Sequence, residues 1–146
     1  MTPEYRAARS DDASAIAALE AEIFPDAWTK DDVLSVITSP LSISYVVSLG
    51  GEILAYVIAK RILDEGEIYR LATKKEYRKN SYAKCLLSYL FENESGLSEL
   101  YLEVRESNIA ARKLYTGCGF TEISLRKNYY RNPTENGVNM HKSFKE

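Results

Sequence analysis

The 146-residue sequence is short of the residues from which metal and disulfide sites are built. It contains one histidine, His141, and two cysteines, Cys85 and Cys118, neither of which belongs to a CxxC pair. A structural zinc ion needs about four such ligands, so we expect no metal in this protein. Because neither cysteine has a base close to it in the sequence, covalent catalysis through a thiol is also disfavoured.

Long apolar runs and an excess of charge of one sign are missing as well. No segment approaches the roughly 18 consecutive apolar residues of a membrane-spanning helix, and no apolar run follows Arg6 as it would in a signal peptide. We therefore expect a cytoplasmic protein. With 19 Lys and Arg residues against 21 Asp and Glu residues, the net charge is -2. This balance favours neither nucleic acid nor a membrane as a partner of the whole molecule.

The composition is that of an ordinary globular chain, with 45% hydrophobic and 27% charged residues. The length suits one domain with a core of its own, and no repeat or linker-like segment divides the chain. We therefore expect a single domain over residues 1–146.

Hydrophobic periodicity predicts a mixed α/β fold. Gly50-Gly51 favours the positive φ angles of a tight turn, and Thr29 and Asn108 are suited to cap helices. The predicted strands are 4–9, two antiparallel strands within 43–59, 67–73, 100–104, 120–125 and 138–144. The predicted helices are 13–22, about 30–39, 82–94 and one that follows Ser107-Asn108 and ends near Cys118-Gly119.

A basic segment lies where the fourth predicted strand leads into the third predicted helix. The start of a helix offers unpaired backbone N–H groups and a positive partial charge to an anion. We therefore predict a pyrophosphate-binding loop, although the charges alone fit a solvated loop equally well. The basic residues of the segment are Lys74, Lys75, Arg78, Lys79 and Lys84.

Three sequence blocks carry a resemblance to a known family. They are Tyr101-Leu102-Glu103-Val104-Arg105-Glu106-Ser107-Asn108 with the following Ile109 to Phe120, Phe24-Pro25 with Trp28-Thr29, and Arg126-Lys127-Asn128-Tyr129-Tyr130. The chain resembles the GNAT acetyltransferases over about residues 24 to 140, specifically the bacterial ribosomal-protein alanine N-acetyltransferases. That family combines Leu-Glu-Val-Arg-x-Ser-Asn with a later Leu-Tyr, a Gly-Phe and an Arg-x-Asn-Tyr-Tyr.

The resemblance implies a GNAT fold: helices flanking a mostly antiparallel, twisted sheet that splays near its centre, where acetyl-coenzyme A enters. It implies direct acetyl transfer to the N-terminal amine of a protein, with the N-terminal alanine of small-subunit ribosomal protein eighteen as the acceptor. Two alternatives stay open. One is acetylation of lysine side chains or small amines, and the other is a catalytically weak module that binds coenzyme A.

The same resemblance assigns two catalytic roles. Glu103 is expected to be the general base that takes the proton of the amine, and Tyr115 the general acid that protonates the departing thiolate. Without the motif, Glu103 could be a surface residue paired with Arg105 or Lys113, and Tyr115 a core aromatic residue on the buried stripe of its helix.

Residues for acetyl-coenzyme A are expected at three places. Backbone N–H groups of a splayed strand would meet the thioester and pantetheine, the loop would bind the pyrophosphate, and Asn108 would bind through its amide or only cap its helix. Tyr129 and Tyr130 either line the acceptor groove or pack beneath it. The strand residues are Leu71, Ala72 and Thr73, and the loop residues are Arg78, Lys79, Asn80, Ser81, Tyr82, Ala83 and Lys84.

Two positions depart from the family pattern. Ser81 stands where the loop has its first glycine, and the strand before Leu71 carries Arg70 where the family usually has asparagine. A serine held at positive φ costs about 1–2 kcal/mol, so we expect weaker coenzyme A binding. Its hydroxyl, however, can cap the helix or donate to a phosphate. The change at Arg70 concerns contacts to the acceptor.

Overall fold

The computed structural model describes residues 2–145, and the predicted mixed α/β class is confirmed. These residues form seven strands and four α-helices. The strands are β1 Glu4–Ala7, β2 Tyr45–Leu49, β3 Glu52–Ile62, β4 Glu65–Thr73, β5 Glu99–Arg105, β6 Thr121–Tyr130 and β7 Glu135–Ser143. The helices are α1 Ala13–Ile23, α2 Lys30–Ile37, α3 Tyr82–Asn93 and α4 Ile109–Gly117.

Local sequence signals account for most element boundaries. At the start of α2, the Thr29 hydroxyl accepts from the Asp32 N–H (3.1 Å) and the Asp32 carboxylate accepts from the Thr29 N–H (2.9 Å). This capping box confirms Thr29 as the predicted cap. The prediction for β6 was wrong, because the strand continues five residues past Leu125 to Tyr130. The missed residues, 126–130, are mostly exposed and show no alternation of apolar and polar side chains that would mark a strand.

The sheet has the order β1-β2-β3-β4-β5-β7-β6, and among the described strands only β4 and β5 pair in parallel. Their pairing covers Glu65–Ile68 against Glu99–Leu102 and stops there. In β4, Tyr69 is an extra residue in the register with β3, and such a bulge bends a strand. The continuing ends of β4 and β5 therefore separate, which is the predicted central splay.

Helices cover both faces of the sheet. The apolar side of α3 packs on one face, where Leu86, Leu87 and Leu90 are fully buried with strand residues such as Leu100. On the other face, α1 and α2 bury a second cluster. Burying each large aliphatic side chain contributes about 1.5–3 kcal/mol, so these two clusters are the main source of stability. The second cluster includes Ile16, Val33, Val36, Tyr56 and Ile58.

A buried ion pair joins α1 to the part of β4 that pairs with β3 but no longer with β5. Glu20 is fully buried and lies 2.8 Å from the Arg70 guanidinium, and it also accepts from the Tyr56 hydroxyl and from the Trp28 N–H (3.0 Å). The guanidinium stacks 4.2 Å from the Phe24 ring centre. Arg70, which departs from the family pattern, thus fixes the splayed half of β4 against α1.

Replacing Glu20 by Ala should destabilise the fold by about 3–5 kcal/mol, because it leaves the buried Arg70 guanidinium without its main counter-charge. Glu22→Ala, on the exposed side of the same helix, should change the free energy of unfolding by no more than about 0.5 kcal/mol. Urea denaturation at pH 7 measures both. Similar losses in the two variants would show that the Glu20 pair adds nothing specific.

Candidate active site

Beyond Ile68, the edge of β4 that faced β5 carries backbone N–H groups that no strand within residues 2–145 pairs with. The Lys74 N–H bonds to the Leu54 carbonyl of β3 (2.7 Å), and N–H directions alternate along an antiparallel ladder. The N–H groups of Leu71 and Thr73 therefore point into the splay, and that of Ala72 points to β3. Of the three backbone donors expected from the sequence, those of Leu71 and Thr73 are directed so that a ligand in the splay could reach them, and that of Ala72 is not. The Ala72 side chain is buried in the second core cluster.

The loop between β4 and α3 has two residues in the left-handed region, Lys79 (φ 69°) and Ser81 (φ 63°). The positive φ expected at Ser81 is thus confirmed. The expectation that its hydroxyl caps α3 was wrong: within residues 2–145 the hydroxyl makes no capping bond. Helix N-caps normally have extended backbone, and the left-handed conformation of Ser81 differs from it.

The first backbone bond of α3 joins the Cys85 N–H to the Ser81 carbonyl (2.9 Å). The N–H groups of Tyr82, Ala83 and Lys84 precede that bond, so they lack partners within the helix and face the loop. Such N–H groups at a helix start suit an anion, and the pyrophosphate-binding loop stays a prediction.

The shape of this loop is fixed by its own polar side chains. Arg78 donates to the Thr73 carbonyl (3.2 Å), and the Asn80 amide donates to the Tyr77 (3.2 Å) and Arg78 (3.3 Å) carbonyls. Arg78 thereby ties the loop to the end of β4, beside the open strand edge. Among the basic residues expected there, Lys74 instead pairs with Glu52 (3.2 Å).

Glu103 lies on β5 immediately after the last residue paired with β4. One carboxylate oxygen, Oε1, accepts from the Asn139 amide (2.8 Å) and pairs with Arg126 (2.9 Å). The other oxygen, Oε2, is buried and has no hydrogen-bond partner among the described residues. Arg105 pairs with Glu135 (3.3 Å), so the alternative in which Glu103 forms a surface pair with Arg105 was wrong.

A second carboxylate borders the same part of the splay. Partial desolvation raises the pKa of Glu67 on β4, the charge of Glu103 raises it further, and Arg126 opposes both effects. Two acidic groups and one guanidinium thus share this space, and their combined charge favours a cationic ligand.

Tyr115 lies on α4 with only 6% of its surface exposed, and its ring packs edge-on against Phe120 with centroids 5.6 Å apart. Burial raises its pKa, and nearby Tyr130 and Cys118 raise it further, while Arg70 lowers it. The phenol is therefore protonated at neutral pH and can only donate a proton. The packing also agrees with the alternative role as a core aromatic residue, and the two roles are compatible.

Asn108 caps α4, because its side-chain oxygen accepts from the Ala111 N–H (3.1 Å). Capping uses the oxygen of the amide and leaves its NH₂ group for a ligand. The capping role expected from the sequence is confirmed, and it does not conflict with a role in binding.

Two tyrosines at the end of β6 border the site. Arg126 lies over the Tyr129 ring (5.2 Å), and Arg105 lies over the Tyr130 ring (4.6 Å). Burial raises the pKa of Tyr130, and the charge of Glu103 raises it further. Since Tyr130 also affects the pKa of Tyr115, it lies within electrostatic range of both expected catalytic side chains.

Sequence reasoning missed Asn139 and Arg126 as partners of Glu103. Asn139 is directly opposite Glu103 in the β5–β7 register, 36 positions away in the chain. Only the pairing of these strands reveals the contact, although the position of Arg126 in the Arg-x-Asn-Tyr-Tyr block marked it as a residue to consider.

Within residues 2–145, no three His, Cys, Asp or Glu side chains are placed to hold a metal ion, and no helix is long and apolar enough to cross a membrane. Burial raises the pKa of the Cys118 thiol despite the opposing charges of Lys84 and Lys142. A raised pKa makes the thiolate scarce, which argues against Cys118 as a nucleophile.

Comparison with known proteins shows which family this chain is similar to. The model of the acetyltransferase (GNAT) family matches residues 13–120. Proteins from Haemophilus ducreyi and Escherichia coli K12, both named [ribosomal protein bS18]-alanine N-acetyltransferase, are 43% identical over 93 residues and 34% identical over 97 residues. These matches cover 60% and 65% of this chain and, at 64% of each relative, less than two thirds of the relatives' length.

A longer match and two solved structures extend the comparison. A Bacillus subtilis protein with the same name, marked putative, is 33% identical over 132 residues, which cover 88% of this chain and 85% of that protein. The crystal structure of the Escherichia coli ribosomal-protein-S18-alanine N-acetyltransferase superposes with a TM-score of 0.93 at 25% identity, covering 99% of this chain and 96% of that one. Ard1 from Thermoplasma volcanium, at 18% identity and a TM-score of 0.92 with full coverage of both chains, shares the fold.

Ser81→Gly should stabilise the protein by about 0.5–1 kcal/mol, because relief of left-handed strain exceeds the entropy that glycine adds to the unfolded chain. Without the Cβ, the loop should also bind acetyl-coenzyme A, the expected co-substrate, more tightly. Ser88→Gly, the same change on the exposed face of α3, should instead cost about 0.5 kcal/mol. Thermal denaturation and calorimetric titration test both effects; weaker binding by Ser81→Gly would show that the hydroxyl itself contacts a phosphate.

Proposed function

The chain belongs to the acetyltransferase (GNAT) family, and from that membership we propose that it transfers an acetyl group from acetyl-coenzyme A to the α-amine at the N-terminus of a protein. The proposed acceptor is the N-terminal alanine of a small-subunit ribosomal protein, as the names of the relatives indicate for those proteins. Such a substrate would place the reaction in the cytoplasm. The observation that carries the proposal is the carboxylate of Glu103 at the splay. One of its oxygens accepts a hydrogen bond from Asn139, and the other is buried without a partner among the described residues.

The residues of the splay fit acetyl-coenzyme A. The unpaired N–H groups at the start of α3, together with Lys79 and Lys84, suit a pyrophosphate. The N–H groups of Leu71 and Thr73 suit the amides and the carbonyl of an extended thioester arm. When bound, acetyl-coenzyme A supplies the acetyl group as an activated thioester.

Glu103 would act as the general base. An α-amine has a pKa of about 7.7–8.0, so much of it is protonated at neutral pH, and Oε2 can accept that proton directly or through a water. A lysine side chain, with a pKa of about 10.4, would demand more of the same carboxylate. This difference supports an α-amine as the acceptor over lysine.

Tyr115 would act as the general acid. A thiol has a pKa of about 8.5, and burial raises the pKa of Tyr115, so the phenol is protonated at neutral pH but is the weaker acid of the two. Its proton would therefore pass to the sulfur as the bond between sulfur and carbon breaks and negative charge develops there. The buried side of α4 holds the ring in one position through its contact with Phe120. The packing therefore positions the phenol.

A direct assay separates this function from its two rivals. The protein is incubated with acetyl-coenzyme A and with peptides that begin with alanine, differ only in a free or blocked N-terminus, and contain one lysine. Acetylation that disappears on blocking is the expected result. Labelling of lysine in both peptides would replace the proposal with lysine acetylation, and cofactor binding without turnover would replace it with a binding module.

Glu103→Gln should lower kcat by about 10²–10⁴-fold at pH 7, because the shape stays and the base is lost. The deficit should shrink as the pH rises past the pKa of the amine, since the amine then loses its proton to bulk water. Turnover against pH at saturating substrates measures this. A deficit that stays constant with pH would assign Glu103 to positioning rather than to proton transfer.

Tyr115→Phe should also lower kcat by about 10²–10⁴-fold and leave the affinity for acetyl-coenzyme A nearly unchanged. Its deficit should not shrink at high pH, because protonation of the thiolate becomes less favourable there. Phe120→Leu, which disturbs the packing of the ring without removing the hydroxyl, should cost less activity. A Tyr115→Phe enzyme with normal turnover and rate-limiting chemistry would leave Tyr115 only its role in the core.

A further inference from the structure

We propose that Asn139 binds the amine substrate. Its side-chain oxygen and Oε2 of Glu103 each accept a hydrogen bond from a different N–H group of that amine. This proposal rests on the proposed function and names the group that the site recognises. Asn139 lies on β7, directly opposite Glu103 on β5.

Two buried acceptor atoms carry the inference. Oε2 of Glu103 and Oδ1 of Asn139 are both buried, and neither has a hydrogen-bond donor among the described residues. Buried polar atoms are nearly always paired, and leaving one unpaired is costly. Two unpaired acceptors on adjoining side chains, one of them on a carboxylate that is nine-tenths buried, indicate a ligand with several donors.

The orientation of the Asn139 amide follows from its partner. Its NH₂ group donates to Oε1 of Glu103 (2.8 Å), and the reverse orientation would place two acceptor oxygens against each other. Oδ1 must therefore point away from Oε1. Each side chain uses one atom to hold the other and keeps one acceptor for a ligand.

The side chains that lie over Glu103 are largely exposed to solvent, so moving them away would expose little further surface. A Cβ on Gly137 would lie 3.0 Å from both Oε2 and the Tyr129 ring, so the missing side chain leaves a narrow space between them. Tyr129 is 46% exposed, and the Arg126 side chain is 56% exposed. The register between β6 and β7 is interrupted from Arg126 to Tyr130, so this segment can move aside without breaking a regular ladder.

A primary ammonium matches these acceptors. It donates one N–H to Oε2 and a second to Oδ1. When the first proton passes to Oε2, the nitrogen regains its lone pair and is still held by Asn139 through an N–H bond. The proton given up by the amine is the one that Glu103 gains, so charge and atoms balance. Asn139 thus keeps the amine in place after the base has acted.

Binding to the protein saturated with coenzyme A, which has no acetyl group to transfer, tests the proposal without turnover. Two peptides are compared by calorimetry: one begins with alanine, and the other with N,N-dimethylalanine, whose ammonium has a single N–H. That N–H should go to the charged acceptor Glu103. Asn139→Leu should weaken binding of the alanine peptide about 10- to 100-fold and affect the dimethylated peptide little.

Asn93→Leu, the same change at the exposed end of α3, is the matched control and should alter neither affinity. Asn139→Val serves as a second variant, and the thermal midpoint of each variant shows that it is folded. Equal weakening of both peptides would overturn the proposal, because Asn139 would then act only by orienting Glu103. Unchanged binding of both peptides would overturn it as well.

The same comparison of peptides and variants distinguishes failure of the proposed function from failure of this inference. If the wild-type protein binds no α-amine peptide, the comparison is made with N-terminally blocked peptides that carry lysine or dimethyllysine. Selective weakening of the lysine peptide by Asn139→Leu would support the two-acceptor site and reject the α-amine as its ligand. No selectivity in either series would reject the site itself.

Discussion

The short parallel pairing of β4 and β5 is the constraint on which the rest of the structure depends. Four residues of each strand pair, and then the bulge at Tyr69 turns β4 away. Because the parallel pairing stops in the middle of the sheet, β4 has backbone N–H groups without a strand partner on that side. On β5, the side chain of Glu103 lies directly after the last paired residue. The open donors, the carboxylate and the space between them are thus consequences of one interruption in the sheet.

The two separated strand ends are held by different partners. On one side, the buried pair of Arg70 with Glu20 fastens β4 to α1. On the other side, β5 stays paired with β7 over its whole length, and Asn139 meets Glu103 there. Closing the splay would require one of these attachments to break, and a buried ion pair that loses one partner costs about 3–5 kcal/mol. The same contacts that stabilise the fold therefore keep the site open.

Sequence reasoning reached the parts of the site that depend on local chemistry. The left-handed conformation at Ser81, the capping by Thr29 and Asn108 and the splayed mixed sheet follow from neighbouring residues or from a motif. Contacts across the sheet were out of reach, since the partners of Glu103 depend on strand register. The N–H direction of Ala72 depends on register in the same way. The far end of β6, residues 126–130, was missed because it shows no alternation of apolar and polar residues.

The Arg126 contact matters for the charge balance of the site. A carboxylate that is nine-tenths buried is costly without a counter-charge, and here Arg126 supplies one from an exposed position. Arg126 pairs with Oε1, so under the proposed function an incoming ammonium at Oε2 would meet a carboxylate whose other oxygen is already paired. Glu67 borders the same space and adds a second negative charge, so the two carboxylates together outweigh the single guanidinium. This remaining negative charge favours a cationic amine over a neutral group.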